Sequence, residues 1–358
     1  MAGSFRQPKW FQCFLGSKAR DALLHNGGSP DSFRLLVAAS GGPRWIGLVS
    51  IDRCLKKFVS QRDRKNPLAL LGASSGAWRM AAMACLDKGE SYEDLVHEYV
   101  EQSFEGSPTP REVSEVCRAY LRRVFSPQRV LKILSNPRFQ LNFTTALIRQ
   151  ENPSQITVVK DALASCLANA FDRRLLKWVI RRCLFSVLPH PTLSPLGEDW
   201  DALGAERVAL GPENFYQALM ATGSIPLVLE GESSIPGSPS GHHLDGGWID
   251  YHFEIESPGP ILYPHFDPNP IPGWLDKFPP YRKITRRARE NLCLILPSEE
   301  LLALFPTQDY PCREDFHKYP NAIRVKLWRE TLEVAKRVES ELMACLESGQ
   351  LPNVGKPL

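Results

Sequence analysis

The apolar run Leu68-Ala69-Leu70-Leu71 passes through Gly72-Ala73-Ser74-Ser75-Gly76 straight into an alanine-rich segment, Ala77 to Met83. The run has the composition of a buried strand and the alanines favour a helix, so the chain has to turn sharply over a few small residues. Gly72-x-Ser74-x-Gly76 is the spacing of a nucleophile elbow, where a serine stands at a strand-to-helix turn and its neighbours must lack bulk. Such a turn lifts the hydroxyl above the sheet edge. It also points the positive end of the helix at the serine, a direction that favours negative charge. The same residues suit an ordinary tight turn without chemistry, and only other loops can decide between the two.

The chain has 358 residues, enough for one α/β domain with insertions. Its 43 Lys and Arg nearly balance 40 Asp and Glu, for a net charge of +3. No basic stretch is interleaved with aromatics, which excludes an electrostatic nucleic-acid binder and leaves no nucleic-acid partner expected. The nine cysteines are scattered from Cys13 to Cys345 without metal-ligand or C-x-x-C spacing, and are expected reduced. Met1 to Phe14 contains no apolar stretch followed by a small-residue cleavage site, and no segment reaches the roughly 18 apolar residues of a membrane span. The charge-free run Ala162 to Phe171 is too short. A cytoplasmic protein, at most peripheral to a membrane, is expected.

Taken in order, Ser17 to His25 reads as a short helix and Phe33 to Ala39 as the first strand, leading into Ser40-Gly41-Gly42-Pro43-Arg44. Paired glycines at a strand end can turn their N–H groups toward an anion without a Cβ in the way, and Pro43 cannot donate. A helix from Trp45 to Val59 then leads to the elbow strand. Beyond the elbow, helices are expected over Tyr92 to Phe104, Arg111 to Phe125, Gln128 to Leu134 and Val158 to Leu188, with a strand over Leu141 to Ile148. Pro189 to Pro195 reads as a loop, Arg207 to Leu210 as a strand, and Glu213 to Ala221 as a helix ending at Thr222-Gly223-Ser224-Ile225-Pro226. After a turn-rich stretch comes His242-His243-Leu244-Asp245-Gly246-Gly247-Trp248, a carboxylate at a strand end with space around it. Within Val158 to Leu188, the segment Arg173 to Phe185 plots as a basic amphipathic helix, suited either to a membrane interface or to capping the core.

Taken together, the three loops resemble the patatin-like phospholipase family. The shared pattern is a glycine-rich oxyanion loop with a nearby arginine (Gly41, Gly42, Arg44), a G-x-S-x-G serine (Ser74) and a D-G-G motif (Asp245), in that order, with the small-residue segment Ala221 to Pro226 ahead of the aspartate. It covers Phe33 to Asp250. Ala39-Ser40 replaces the family's acidic residue and extra glycine, and Trp45 stands where a glycine is common. The resemblance implies an α/β, three-layer fold with a central, mostly parallel sheet flanked by helices. One catalytic domain would span 1–358, its core about 33–264, with a helical insertion about 87–200 and a helical C-terminal extension about 297–358.

The implied activity is a lipid acyl hydrolase of phospholipase A or lysophospholipase type. Ser74 attacks an ester carbonyl, the Gly41 and Gly42 N–H groups hold the oxyanion, Arg44 contributes to substrate binding, and Asp245 acts as base without an intervening histidine. No metal or cofactor is called for; the partners are a lipid ester and a peripheral membrane surface. An aspartate ordinarily titrates near 4, so the site has to raise it or compensate by positioning. Two alternatives stay open. A Ser-Asp-His triad on an α/β-hydrolase fold would draw on His252, His265 or His317, and a lipid-binding scaffold would keep the loops without turnover.

Overall fold

The computed structural model describes residues 7–187, 203–279 and 281–358. Its centre is a mixed sheet. In chain order the strands are β1 (Phe11–Leu15), β2 (Leu35–Ala38), β3 (Leu68–Ala73), β4 (Phe139–Ile148), β5 (Arg181–Ser186), β6 (Glu206–Ala209), β7 (Glu232–Ser233), β8 (His242–Leu244), β9 (Ile261–Pro264), β10 (Leu292–Pro297) and β11 (Lys356–Pro357). They lie side by side as β11-β1-β10-β9-β2-β3-β4-β5-β6, with β8 on β4 and β7 on β8. From β10 to β4 every neighbour pair is parallel, as in an α/β fold whose crossovers are helices. β2 and β3 are buried along their whole length, which is why they read as unbroken apolar runs.

Helices cover the sheet: α1 (Ser17–His25), α2 (Val49–Val59), α3 (Ser75–Ala84), α4 (Glu90–Glu101), α5 (Pro110–Val124), α6 (Pro127–Leu134), α7 (Gln155–Phe171) and α8 (Phe215–Thr222). Thr109 caps α5 through a reciprocal pair with Glu112, and Pro110 starts the helix where its missing N–H costs nothing. Two C-terminal helices, Asn321–Ala335 and Glu339–Glu347, pack back on α2 and on the turn that follows β2.

Two sequence readings need correction. Trp45 to Val59 is not one helix: a 3-10 turn, Gly42–Leu48, precedes α2. Nor is Val158 to Leu188. α7 stops at Phe171, Arg173–Trp178 is a 3-10 turn, and Arg181 to Ser186 is strand β5, so the basic amphipathic helix does not exist as drawn. The physical reason is Arg182. It is buried and paired with Asp250 at 2.8 and 2.6 Å, so this charge of the basic segment belongs to the interior. The N-terminal strand β1, set between β10 and β11, was not anticipated. The loop expected over Pro189 to Pro195 lies outside the described residues.

Candidate active site

β4 outruns β3. β3 lies along one edge of it from Leu68 opposite Phe139 to Ala73 opposite Thr144, and β5 takes the other edge. Beyond the end of β3, β8 occupies the same edge in the opposite direction, ending with Leu244 opposite Ala146. The two strands therefore run toward each other along one edge. Ser74 follows the first and Asp245 the second, and they meet: Ser74 Oγ donates to Asp245 Oδ2 at 2.6 Å.

The elbow's steric demands are visible. Ser74 has φ 55°, uncommon for a residue with a side chain. A Cβ on Gly72 would sit 2.5 Å from Ala77 N, and one on Gly76 2.3 Å from Ala38 O, so neither glycine tolerates a side chain without the strand or helix moving. The Ser74 N–H is held by Thr222 Oγ1 at 3.0 Å, and that hydroxyl donates to Thr144 O at 2.6 Å. Two residues on, Ser224 O accepts from Asp245 N at 2.9 Å. The end of α8 and the residues just after it thus clamp both partners, a role these small residues did not reveal in sequence.

The glycine loop lies against the same turn. Gly42 O accepts from Ser75 Oγ at 3.3 Å, Gly42 has φ 55°, and a Cβ on Gly41 would strike the Phe266 ring at 2.6 Å. Among the described residues neither the Gly41 nor the Gly42 N–H has an acceptor, and the N-terminus of α3 opens at the serine. Ser40 Oγ is buried beside Gly247 and has no hydrogen-bond partner among the described residues.

Asp245 is buried, and burial raises its carboxyl to about 6 against the opposing pull of the Ser74 hydroxyl, the Gly247 N–H and the Arg313 charge. Gly247 N donates to Oδ1 at 2.7 Å, leaving Oδ2 for the serine. Among the described residues no histidine bonds to either residue. His252 and His265 meet edge to face, 4.4 Å between centroids, and burial keeps both neutral, His265 down to about 3. His252 Nδ1 accepts from Ile271 N and His265 Nδ1 is engaged with Asp267, while His317 is exposed on a helix of the C-terminal region. Arg44 lies over Phe266, 5.3 Å to the ring centroid. All five residues singled out in the sequence, Gly41, Gly42, Arg44, Ser74 and Asp245, thus gather at one end of the sheet.

Fold and site define an α/β chain in which a serine at a strand-to-helix elbow is hydrogen-bonded to a buried carboxylate. No protein-family model matches it, and no curated protein matches it in sequence. Among solved structures it is similar to VipD from Legionella pneumophila, with TM-score 0.33 and 14% identity over 65% of this chain; it spans about half (50%) of the VipD chain.

Proposed function

We propose that the chain is a serine hydrolase of acyl esters of lipids, acting through a Ser74–Asp245 dyad in the manner of the patatin-like phospholipases. The observation that carries this reading is the 2.6 Å hydrogen bond from the Ser74 hydroxyl to a carboxylate raised to about 6. A base with that value is ionised at neutral pH yet basic enough to take the hydroxyl proton as Oγ attacks. The tetrahedral oxyanion is received by the unoccupied Gly41 and Gly42 N–H groups and the helix end behind Ser74. Collapse expels the alcohol, which takes up the proton from Asp245. Water, deprotonated by the same carboxylate, then releases the acyl group.

Three cations favour an ester with an anionic head group. Arg44 flanks the glycine loop; Lys277 Nζ sits 3.9 Å over the ring of Tyr251, whose carbonyl accepts from Ser40 N; and Arg313 favours the charged form of Asp245. Among the described residues none of the three is in an ion pair with a carboxylate, although Glu314 lies next to Arg313 in the chain. The test is hydrolysis of phosphatidylglycerol and of a triacylglycerol emulsion by the parent, Ser74→Ala and Asp245→Asn. Phosphatidylglycerol should be cleaved faster, and each variant should lose several powers of ten while keeping its fold. Turnover by Ser74→Ala within about tenfold of the parent would overturn the assignment.

A further inference from the structure

Helix α7 carries apolar residues on both its faces. Its buried positions include Ser165 and Asn169, and Asn169 Nδ2 donates to buried Asp276 Oδ1 at 2.8 Å. Its outward face is Ile156, Val159, Leu163, Leu167 and Phe171, three or four residues apart, with Leu163, Leu167 and Phe171 exposed by 60, 64 and 84%. Trp178 continues the stripe at 66%. Beside the end of the helix stand exposed Trp274 and Tyr281, and the Tyr281 hydroxyl donates to Ala170 O at 3.0 Å. A contiguous exposed apolar face is an interaction surface rather than a surface left bare by chance.

Its rim is basic. Lys160 is exposed on α7 itself, and Arg174 and Lys177 follow Phe171. Arg149 shares a surface cleft with Lys177 and Trp178. Of the nearby carboxylates, Asp172 is tied to Arg174 at 2.6 Å, Glu206 of the same cleft is tied to Arg181 at 3.2 Å, and Asp161 is half-buried. Lys160 and Lys177 have no ion-pair partner among the described residues.

We propose that this face docks on an anionic lipid bilayer, with α7 in the plane of the interface, its apolar stripe in the acyl boundary and Lys160 and Lys177 among the head groups. An apolar helix face edged by Trp and Tyr, rings that place a polar tip at the water boundary, matches the layering of a membrane interface. The cations match anionic lipid. A second copy is disfavoured because a two-fold contact would press this basic rim on itself. No helix among the described residues is long and apolar enough to cross a membrane, so the contact is peripheral. The dyad lies at the same end of the sheet: Trp248 and Ile249, just after Asp245, pack in one cluster with Val158, Ala162 and Cys166 of α7.

The proposal draws its purpose from the lipid-ester reading, but its test does not need turnover. Ser74→Ala protein is sedimented with vesicles of phosphatidylcholine alone and of phosphatidylcholine and phosphatidylglycerol in equal parts, with and without Leu163→Gln plus Leu167→Gln, or Lys160→Gln plus Lys177→Gln. All four positions are exposed, and thermal unfolding checks that the fold is kept. The leucine pair should weaken binding by roughly tenfold or more, and the lysine pair several-fold at low salt and little at high salt. With Ser74 intact, both pairs should cleave a soluble short-chain ester as the parent does; absence of that cleavage in every protein would fault the dyad and leave the binding result standing. Binding unchanged by the leucine pair, binding to neither vesicle, or a parent dimer that the leucine pair converts to monomer would overturn the proposal.

Discussion

At Asp245 one carboxylate is asked to be both buried and charged. Its raised value means that folding penalises the ionised form. The sign follows: below about pH 4, where the unfolded chain is also protonated, the penalty vanishes, and it grows as pH rises through about 6. At neutral pH it amounts to about 2–3 kcal/mol. Asp245→Asn should therefore be more stable than the parent by about that amount near pH 7.5 and no more stable near pH 4, as thermal unfolding would show. The amide can keep both contacts, its oxygen accepting from Gly247 N while its nitrogen donates to Ser74 Oγ. Parent kcat/KM should climb with pH through about 6 to a plateau. An Asn variant without the neutral-pH gain would contradict a buried, ionised base. Ser74 and Asp245 were legible in sequence because their chemistry needs glycines at fixed offsets. Thr222 was not, because a hydroxyl that supports a turn has no spacing of its own.

Between elements, what fixes the glycine loop relative to the elbow is a buried ion pair. Arg79 on α3 donates to both oxygens of Asp52 on α2 at 2.8 Å, both side chains fully buried, and the Tyr92 hydroxyl of α4 also bonds Asp52. α2 follows the loop and α3 follows the serine, so this pair sets their distance from behind. Removing one partner strands the other charge, and Asp52→Leu should cost about 3–5 kcal/mol in urea unfolding. Asp52→Leu with Arg79→Met should recover more than half of that, since no lone charge remains. A double variant as unstable as the single one would show that the charge itself is not the issue. This pair went unread for the same reason as β5: a charged residue without sequence periodicity gives no sign of its partner. β1 alternates buried and half-buried residues, a strand pattern, but a strand at the chain's start declares nothing about where in the sheet it will pair. β2 and β3 were readable because they are runs of apolar or small residues, and β4 from Leu141 on because Phe143 and Thr144 suit a strand, while its start at Phe139-Gln140 was missed.

At the scale of the whole molecule, the two ends of the chain close the fold, and the C-terminal helices reach the site. Trp10 N donates to Glu341 Oε2 at 2.8 Å, and β11 pairs with β1. Trp328, on the helix Asn321–Ala335, is buried, donates from its indole to Asp315 at 2.8 Å and stacks on Tyr99, 6.3 Å between centroids. Tyr99 in turn meets Trp45 at 5.2 Å and Trp78 at 6.2 Å. Trp45 directly follows Arg44, and Trp78 lies on the elbow helix, so this aromatic chain backs both loops. Trp45, where the resembled family commonly has a glycine, packs on Tyr99, and Tyr99 in turn on Trp328, more than two hundred positions from the loop, which no local pattern could disclose. Trp328→Ala opens a large cavity there and should cost about 3–5 kcal/mol. On the proposed role of the glycine N–H groups as oxyanion donors, which requires placement to within a fraction of an ångström, the still-folded variant should also lose roughly tenfold or more in kcat on a soluble ester. Trp328→Phe keeps a ring against Tyr99 and gives up the bond to Asp315, so it should lose about 1 kcal/mol and little kcat. Measured at a temperature where both variants are folded, a normal kcat for Trp328→Ala would mean that the glycine loop stands without the C-terminal helix. A kcat that falls for Ala and not for Phe would tie the geometry of the oxyanion donors to the far end of the chain.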